Sequence, residues 1–362
     1  MLASLNAIAR VTPLGRRAAG PLKSRQEIRR ILVMEPKNIG DVVLTLPFLT
    51  RLREIFPQAR TTMLANPFAR TLLDGTGLVD EFIDASLGWT EEATRYNPLA
   101  YNWRELWRLR RELPDLQFDL AFKCCMHIRE HLVIGLTGAD RRIAYAFGTG
   151  DHVLTDAIPV DNPDRPKSVD WLGLLQPFGG NGSIATPRLR VSPTERQWAA
   201  EFLRANGVPA NDKVIGVHPG ASIPQKRWPL EHFREVVQAL SGRNHVRVVV
   251  FIDPQGYGAP LAEIGGVISA KVGLRELMAL IERCDLLVCN DSGPMHIAGA
   301  LGVPTVAVFG SGINLWWAPL GDGHRLISHD QVDNSKSFKP YDVASIPASR
   351  VLAEIDAALS DV

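Results

Sequence analysis

Twice along this chain a short apolar run ends in a turn and gives way to a helical pattern, and that alternation constrains the fold more than any other feature. Ile31-Leu32-Val33-Met34 is the first such run. A run of that length, closed by a turn, reads as a strand buried on both faces of a parallel sheet. The turn Glu35 to Gly40 opens a helix at about Asp41 that runs through Val42, Val43, Leu44, Leu46, Leu49, Leu52 and Ile55 and stops at Pro57. Thr61 to Ala65 is the next strand. Strand, helix, strand in that order is a βαβ unit. Phe118 to Phe122 and Arg142 to Tyr145 add two further strands. Residues 162–187 are loop-rich, with one helix over Val169 to Phe178, and Thr194 starts a helix with Trp198, Phe202 and Leu203 on one face.

The cycle then restarts. Strands are predicted over Val214 to Val217, Val246 to Ile252, Leu286 to Cys289 and Thr305 to Phe309, and helices over Leu230 to Leu240, Leu274 to Arg283 and Pro294 to Leu301. The expectation is an α/β chain of two Rossmann-like domains. Its length of 362 residues agrees, since single cores stop growing at about 250–300 residues. The predicted divisions are a flexible basic leader over 1–28, an N-terminal domain over 29–180, a C-terminal domain over 181–340, and a helix over 341–362 with the option of crossing back to the N-terminal domain.

A formal charge of +1 gives no global drive toward nucleic acid, so any anion must be held by a local site. Cys124 and Cys125 are adjacent, Cys284 and Cys289 lack CxxC spacing, and all four read as free thiols in a reducing compartment. Arg10, Arg16, Arg17, Lys23 and Arg25 interrupt any secretion signal, and no apolar run of about 18 residues exists, so a cytoplasmic location is expected. Over Trp103 to Leu113, Trp103, Leu106, Trp107 and Leu113 share nearly one helical face, with Arg104, Arg108, Arg110 and Arg111 largely elsewhere. The pattern predicts an amphipathic helix with its aromatic stripe in the core. The other reading is a membrane-surface or acceptor-binding helix, and the basic leader has the same option of touching anionic lipid, at the inner membrane's cytoplasmic face.

Four motifs stand where predicted parallel strands end, the place where open α/β sheets bind ligands. The first is Lys37-Asn38-Ile39-Gly40-Asp41, where a carboxylate at a helix start is either a cap or a general base. The second is His218-Pro219-Gly220-Ala221-Ser222, followed by Lys226-Arg227-Trp228-Pro229; backbone amides, a hydroxyl and a cation together suit a diphosphate, though an ordinary basic loop has the same composition. The third is Asn290-Asp291-Ser292-Gly293-Pro294-Met295-His296. Here the amides of Ser292 and Gly293 open a helix toward phosphate oxygens, Asp291 has the reach for sugar hydroxyls, and His296 sits one turn along. A capped helix with a buried histidine is the plainer alternative. Phe309-Gly310-Ser311-Gly312 is the fourth, a Gly-rich turn that walls the same pocket.

Together these segments resemble glycosyltransferase family 9, the lipopolysaccharide heptosyltransferase-like enzymes of the GT-B fold, in which two Rossmann-like domains face each other across a cleft. The resemblance runs from residue 30 through ILVMEPKNIGDVVLTLPFLTRLREIFP, FDLAFKCCMHIREHLVIGLTGADRRIAYAF, VIGVHPGASIPQKRWPLEHF and LMALIERCDLLVCNDSGPMHIAGALGVPTVAVFG. It implies inverting, metal-independent transfer from a nucleotide-diphosphate sugar, with no separate cofactor, to a glycan or glycolipid acceptor. By position, Asp41 would be the base. Gly220, Ser222 and Lys226 would hold the leaving diphosphate, Asp291 the sugar, and Ser292, Gly293 and His296 the phosphates. Lys37, Asn38 and Arg129 would face the acceptor.

Two departures from the family pattern bear on the donor. Asp253-Pro254-Gln255-Gly256-Tyr257 stands where many relatives carry a Gly-Gly and acidic segment, and Ser335 to Pro340 replaces a late cysteine cluster. Both fall where nucleobase, ribose or sugar is read, so the resemblance leaves the donor open, and Trp316-Trp317 has both a stacking and a packing reading. The competing functions are an epimerase-like activity on the same fold and a nucleotide-sugar-binding protein without catalysis. Oligomeric state is not legible.

Overall fold

A computed structural model of the chain describes residues 23–90, 97–127, 129–148, 150–160, 165–180, 187–310, 316–328 and 343–360. The chain divides into two compact units between Pro187 and Arg188.

In the first unit the strands are β1 (Arg30–Glu35), β2 (Arg60–Ala65), β3 (Glu81–Asp84), β4 (Leu120–Lys123), β5 (Arg141–Tyr145) and β6 (Asp156–Ile158). They form one parallel sheet in the order β3-β2-β1-β4-β5-β6. The order reverses between β1 and β4, which pair with Met34 opposite Lys123. Such a reversal leaves a crevice at the strands' carboxyl ends, because the following loops diverge to opposite faces. The helices are α1 (Ile39–Leu44), α2 (Leu46–Ile55), α3 (Phe68–Leu73), α4 (Trp103–Glu112), α5 (Glu130–Leu136) and α6 (Lys167–Gly173).

The second unit repeats the plan. Strands β7 (Lys213–His218), β8 (Val246–Phe251), β9 (Val267–Ala270), β10 (Leu286–Asn290), β11 (Thr305–Val308) and β12 (Arg325–Ile327) lie parallel in the order β12-β11-β10-β7-β8-β9. Its reversal falls between β7 and β10, where His218 is opposite Cys289. The helices are α7 (Pro193–Ala205), α8 (Leu230–Ser241), α9 (Leu274–Glu282), α10 (Gly293–Leu301) and α11 (Ala348–Ser360). Every residue of α10 from Pro294 to Leu301 is buried, as expected for a helix that is apolar all round.

Several expectations are corrected. The helix predicted from Asp41 to Ile55 is two helices broken at Thr45, because Pro47 has no N–H to give to Val43 and its ring crowds the preceding turn. Thr45 closes α1 instead, its Oγ1 donating to Val42 O at 2.7 Å. The predicted Val169 to Phe178 helix is α6 followed by a 3₁₀ turn over Gln176–Phe178. The leader is anchored from Lys23 onward: Lys23 Nζ reaches Asp119 at 2.5 Å and Asp140 at 2.8 Å, and Ile28 is buried. Residues 1–22 lie outside the described residues, as do Ser311, Gly312 and the Ser335 to Pro340 segment. Within the second unit, Ala348, Val351, Ile355 and Ala358 of α11 pack with Val306, Val308 and Trp228. In α4 the buried residues are Leu109, with Leu113 just beyond, while Trp103 and Trp107 face solvent. The aromatic stripe is therefore not core.

Candidate active site

Each unit places its polar cluster at its own switch point. In the first, β1 delivers Glu35 and the turn Lys37-Asn38, and α1 begins at Ile39 with Asn38 as its N-cap in extended conformation. Asn38 N–H donates to Asp41 Oδ2 at 3.2 Å, so the Asp41 carboxylate does cap the helix start. The Asp41 side chain is part-exposed. β4 delivers the facing set: Lys123 Nζ donates to Cys125 O at 2.9 Å and to His127 O at 3.0 Å, and Arg129, Glu130 and His131 follow.

This is a concentrated set of buried charge. Glu35 and Glu130 are fully buried, and burial pushes both carboxyls above their usual range; Asp41 adds to the shift of Glu35, while Lys37 opposes both. Burial alone would lower the Lys37 amine, but Asp41, Glu130 and Glu35 together outweigh it and raise its pKa. Asp41 is the largest of those attractions. Burial lowers the Lys123 amine and pushes both the Cys124 and Cys125 thiols well up. Arg129 is buried at the start of α5, with its guanidinium 3.2 Å from His127 Nε2 and over the Tyr101 ring at 5.5 Å.

In the second unit the loop after β7 and the loop after β10 are joined by two contacts. Lys226, in the 3₁₀ turn Pro224–Lys226, pairs with Asp291 through Nζ and Oδ2 at 2.9 Å. Asn290, fully buried at the end of β10, donates from Nδ2 to Pro219 O at 2.6 Å and accepts from Trp228 N at 3.1 Å. Trp228 is itself buried, with Nε1 donating to Ile346 O at 2.9 Å. Asn290 therefore ties the loop carrying Gly220 and Ser222 to the segment that follows Lys226. It was visible in the sequence motif but carried no assigned role, because an amide in a buried strand end shows its function only through its partners.

Ser292 stands at the N-cap of α10 in extended conformation and makes no side-chain capping bond; it and Gly293 are part-exposed, and the helix is buried from Pro294 onward. Ser292 Oγ and His296 Nδ1 are buried atoms with no hydrogen-bond partner among the described residues. Orphan polar atoms beside a helix N-terminus are what a bound anion satisfies. Ser222 is exposed on its loop and takes no part in the Lys226–Asp291 pair. Trp316 and Trp317 are both part-exposed.

Gly220 is required by packing. A Cβ there would overlap the Asp253 carboxylate and stand 3.1 Å from His218 Cε1. Asp253 is itself buried and accepts from Tyr257 N–H at 3.1 Å, so it cannot swing away freely. Gly220→Ala is expected to lower stability by about 1–3 kcal/mol, the usual cost of overpacking. Urea unfolding checks this, and Gly220→Ala with Asp253→Ala should recover part of the loss; an unaltered midpoint in the single variant contradicts the packing.

His218 and His296 are both held at about 4, below the ordinary 6.5. Burial is the main cause in each, opposed by Asp253 and by Asp291, while Lys226 and His324 lower His296 further. Between pH 6.5 and 4 the unfolded chain binds protons that the folded chain excludes. This stability is thus complete above the unfolded value and lost as pH falls through the window, by at most about 1.4 kcal/mol per pH unit for each histidine. Urea midpoints between pH 7 and 4.5 should fall less steeply in His218→Gln and His296→Gln than in the parent. Equal slopes would show that neither histidine is excluded from protonation.

Comparison with known structures gives the class first. The glycosyltransferase family 9 crystal structure from Veillonella parvula DSM 2008 matches with a TM-score of 0.76 at 23% identity, covering 94% of this chain and 99% of its own. E. coli ADP-heptose lps heptosyltransferase II matches at 0.72 and 24% identity, covering 92% and 99%. The architecture is GT-B. The family model for glycosyltransferase family 9 (heptosyltransferase) matches residues 106–345, more than half of the chain, and the chain belongs to that family. Among curated relatives, lipopolysaccharide heptosyltransferase 2 of Salmonella typhimurium is 26% identical over 92% of this chain and 99% of its own length, and that of E. coli K12 is 26% identical over 91% and 98%.

Proposed function

We propose that the chain transfers a heptose or related sugar from a nucleoside-diphosphate donor to a lipopolysaccharide-type acceptor, with inversion and without a required metal. The observation that carries this is the second switch point: Lys226 pairs with Asp291 beside the N-cap of α10, both charges act on His296, and Ser292 Oγ and His296 Nδ1 are buried atoms with no hydrogen-bond partner among the described residues. Such a group fits a diphosphate, because a cation and a helix N-terminus neutralise the charge that develops as the sugar's C1–O bond breaks. Asp41 takes the proton of the acceptor hydroxyl as that oxygen attacks C1, and the electron pair of the broken bond leaves with the diphosphate. Two protein-supplied sources of positive charge are the basis for metal independence. The lipopolysaccharide-type acceptor is taken from the named relatives, and no described helix is long and apolar enough to cross a membrane.

The test is calorimetric titration of ADP, GDP, UDP, dTDP and CDP into the full chain in EDTA. One clearly preferred nucleotide, with ADP the first candidate from the E. coli relative, supports the reading and names the donor base. Binding that appears only when a divalent metal is restored contradicts the metal-independent form, and no binding under either condition contradicts the donor site.

A further inference from the structure

From the outward face of α4 and the turn before it, we infer that this surface docks on an anionic lipid headgroup layer. Leu99 is 94% exposed, Trp103 52% and Trp107 65%. Within nine residues they supply three of the five exposed large hydrophobic side chains among the described residues, so the exposure is concentrated rather than scattered. The inward face, through Leu109 and Leu113, belongs to the first unit's core with Phe118 and Val133. α4 is therefore fixed in place with its tryptophans turned out.

The charges on that face are of one sign. At about 100° per residue, Trp103, Trp107, Arg104, Arg110 and Arg111 share roughly a third of the helix circumference. Arg104, Arg110 and Arg111 are exposed, and the Arg110 guanidinium lies 5.8 Å from the Trp107 ring centre. The two acids of α4 are engaged elsewhere: Glu105 and Glu112 each bind Arg108 at 2.6 Å, and Arg108 also donates to Asp84 O. Indole rings with arginines around them suit the boundary between acyl chains and headgroups, where the ring is half buried and each guanidinium meets a phosphate. A protein partner fits less well, since interface centres are depleted in charge and three guanidinium groups here have no neighbouring acid on their own face.

The surface is also preorganised and adjoins the proposed acceptor side. Trp103 Nε1 donates to Pro98 O at 3.1 Å, and its ring lies 5.7 Å from that of Tyr101. Tyr101 carries the Arg129 guanidinium at 5.5 Å. One aromatic ring thus separates the lipid-facing tryptophan from the arginine assigned to the acceptor. The inference deepens the lipid-linked acceptor reading through this adjacency, but its test reads binding and not transfer.

Purified full chain is cosedimented with large unilamellar vesicles of phosphatidylethanolamine and phosphatidylglycerol, and separately with phosphatidylcholine alone. The expected result is binding to the anionic vesicles that weakens with added NaCl. Each arginine near an anionic surface is worth about fivefold in partitioning, so the triple variant Arg104→Gln/Arg110→Gln/Arg111→Gln should bind roughly a hundredfold more weakly. Trp103→Ser/Trp107→Ser should lose binding that salt does not remove. All five residues are exposed, so circular dichroism and nucleoside-diphosphate affinity should be unchanged in both variants, as should transfer to a short water-soluble acceptor. No binding to anionic vesicles, or equal binding by parent and variants, overturns the inference. So does a change in the chain's own sedimentation coefficient in these variants with vesicle binding intact, which would make the face a contact between copies.

Discussion

Asp41→Asn is expected to lower transfer by about 10²–10⁴-fold while leaving nucleoside-diphosphate affinity unchanged, the contribution of a positioned general base. The asparagine substitution matters because Asp41, the proposed base, is also a cap. Its Oδ2 accepts the Asn38 N–H at the start of α1, and an amide oxygen at the same place keeps that bond. Asp41→Ala removes both functions and should cost about 1 kcal/mol of stability in addition to the rate. The strongest attraction on the Lys37 amine comes from Asp41. Near-normal turnover in Asp41→Asn, measured at saturating donor and acceptor, would leave Asp41 as a cap alone.

Lys226→Ala should weaken both donor binding and turnover. Losing a charged hydrogen bond to the diphosphate corresponds to roughly ten- to a hundredfold in affinity. Losing its share of leaving-group stabilisation corresponds to about 10²–10³ in kcat. The structure adds a second consequence. Lys226 is paired with Asp291, whose side chain is almost fully buried, so the substitution strands a carboxylate without its cation. Lys226→Ala should therefore also be less stable, and adding Asp291→Asn should restore stability without restoring transfer. Urea unfolding and initial rates on the parent, Lys226→Ala and Lys226→Ala/Asp291→Asn separate the two effects. Unaltered nucleoside-diphosphate affinity in Lys226→Ala would remove Lys226 from the donor site.

What the sequence made legible follows from burial. Strands flanked on both sides, such as Ile31 to Met34 and Leu286 to Cys289, must be apolar throughout, and that signal was plain. The four strands absent from the sequence reading, β3, β6, β9 and β12, are the four edges of the two sheets. Edge strands are three or four residues long and half-exposed here, so they need no apolar run and leave none to read. Trp103 and Trp107 misled for the opposite reason: tryptophan at helical spacing normally marks a core face, and only the structure shows that Leu109 and Leu113 fill that role.

The candidate site divides along the same line. Asp41, Lys226 and Asp291 stand in turns after strong strands, where polar residues announce themselves. Their relations were not legible. The Lys226–Asp291 pair, the Asn290 clamp between Pro219 and Trp228, and the pressing of Asp253 against Gly220 all join segments far apart in sequence. Glu35, Lys123 and Glu130 were overlooked because a charge at the end of an apolar run looks like the start of a loop. Burial gathers them into one electrostatic group with Lys37.

The most direct test of the account is to follow, by NMR in EDTA, the anomeric configuration of the sugar transferred from its preferred nucleoside-diphosphate donor to a lipopolysaccharide-core acceptor. The account predicts product of the opposite anomeric configuration to the donor, formed at an undiminished rate without metal and lost in Asp41→Asn. Retention of configuration, or transfer that requires a divalent metal, would contradict it.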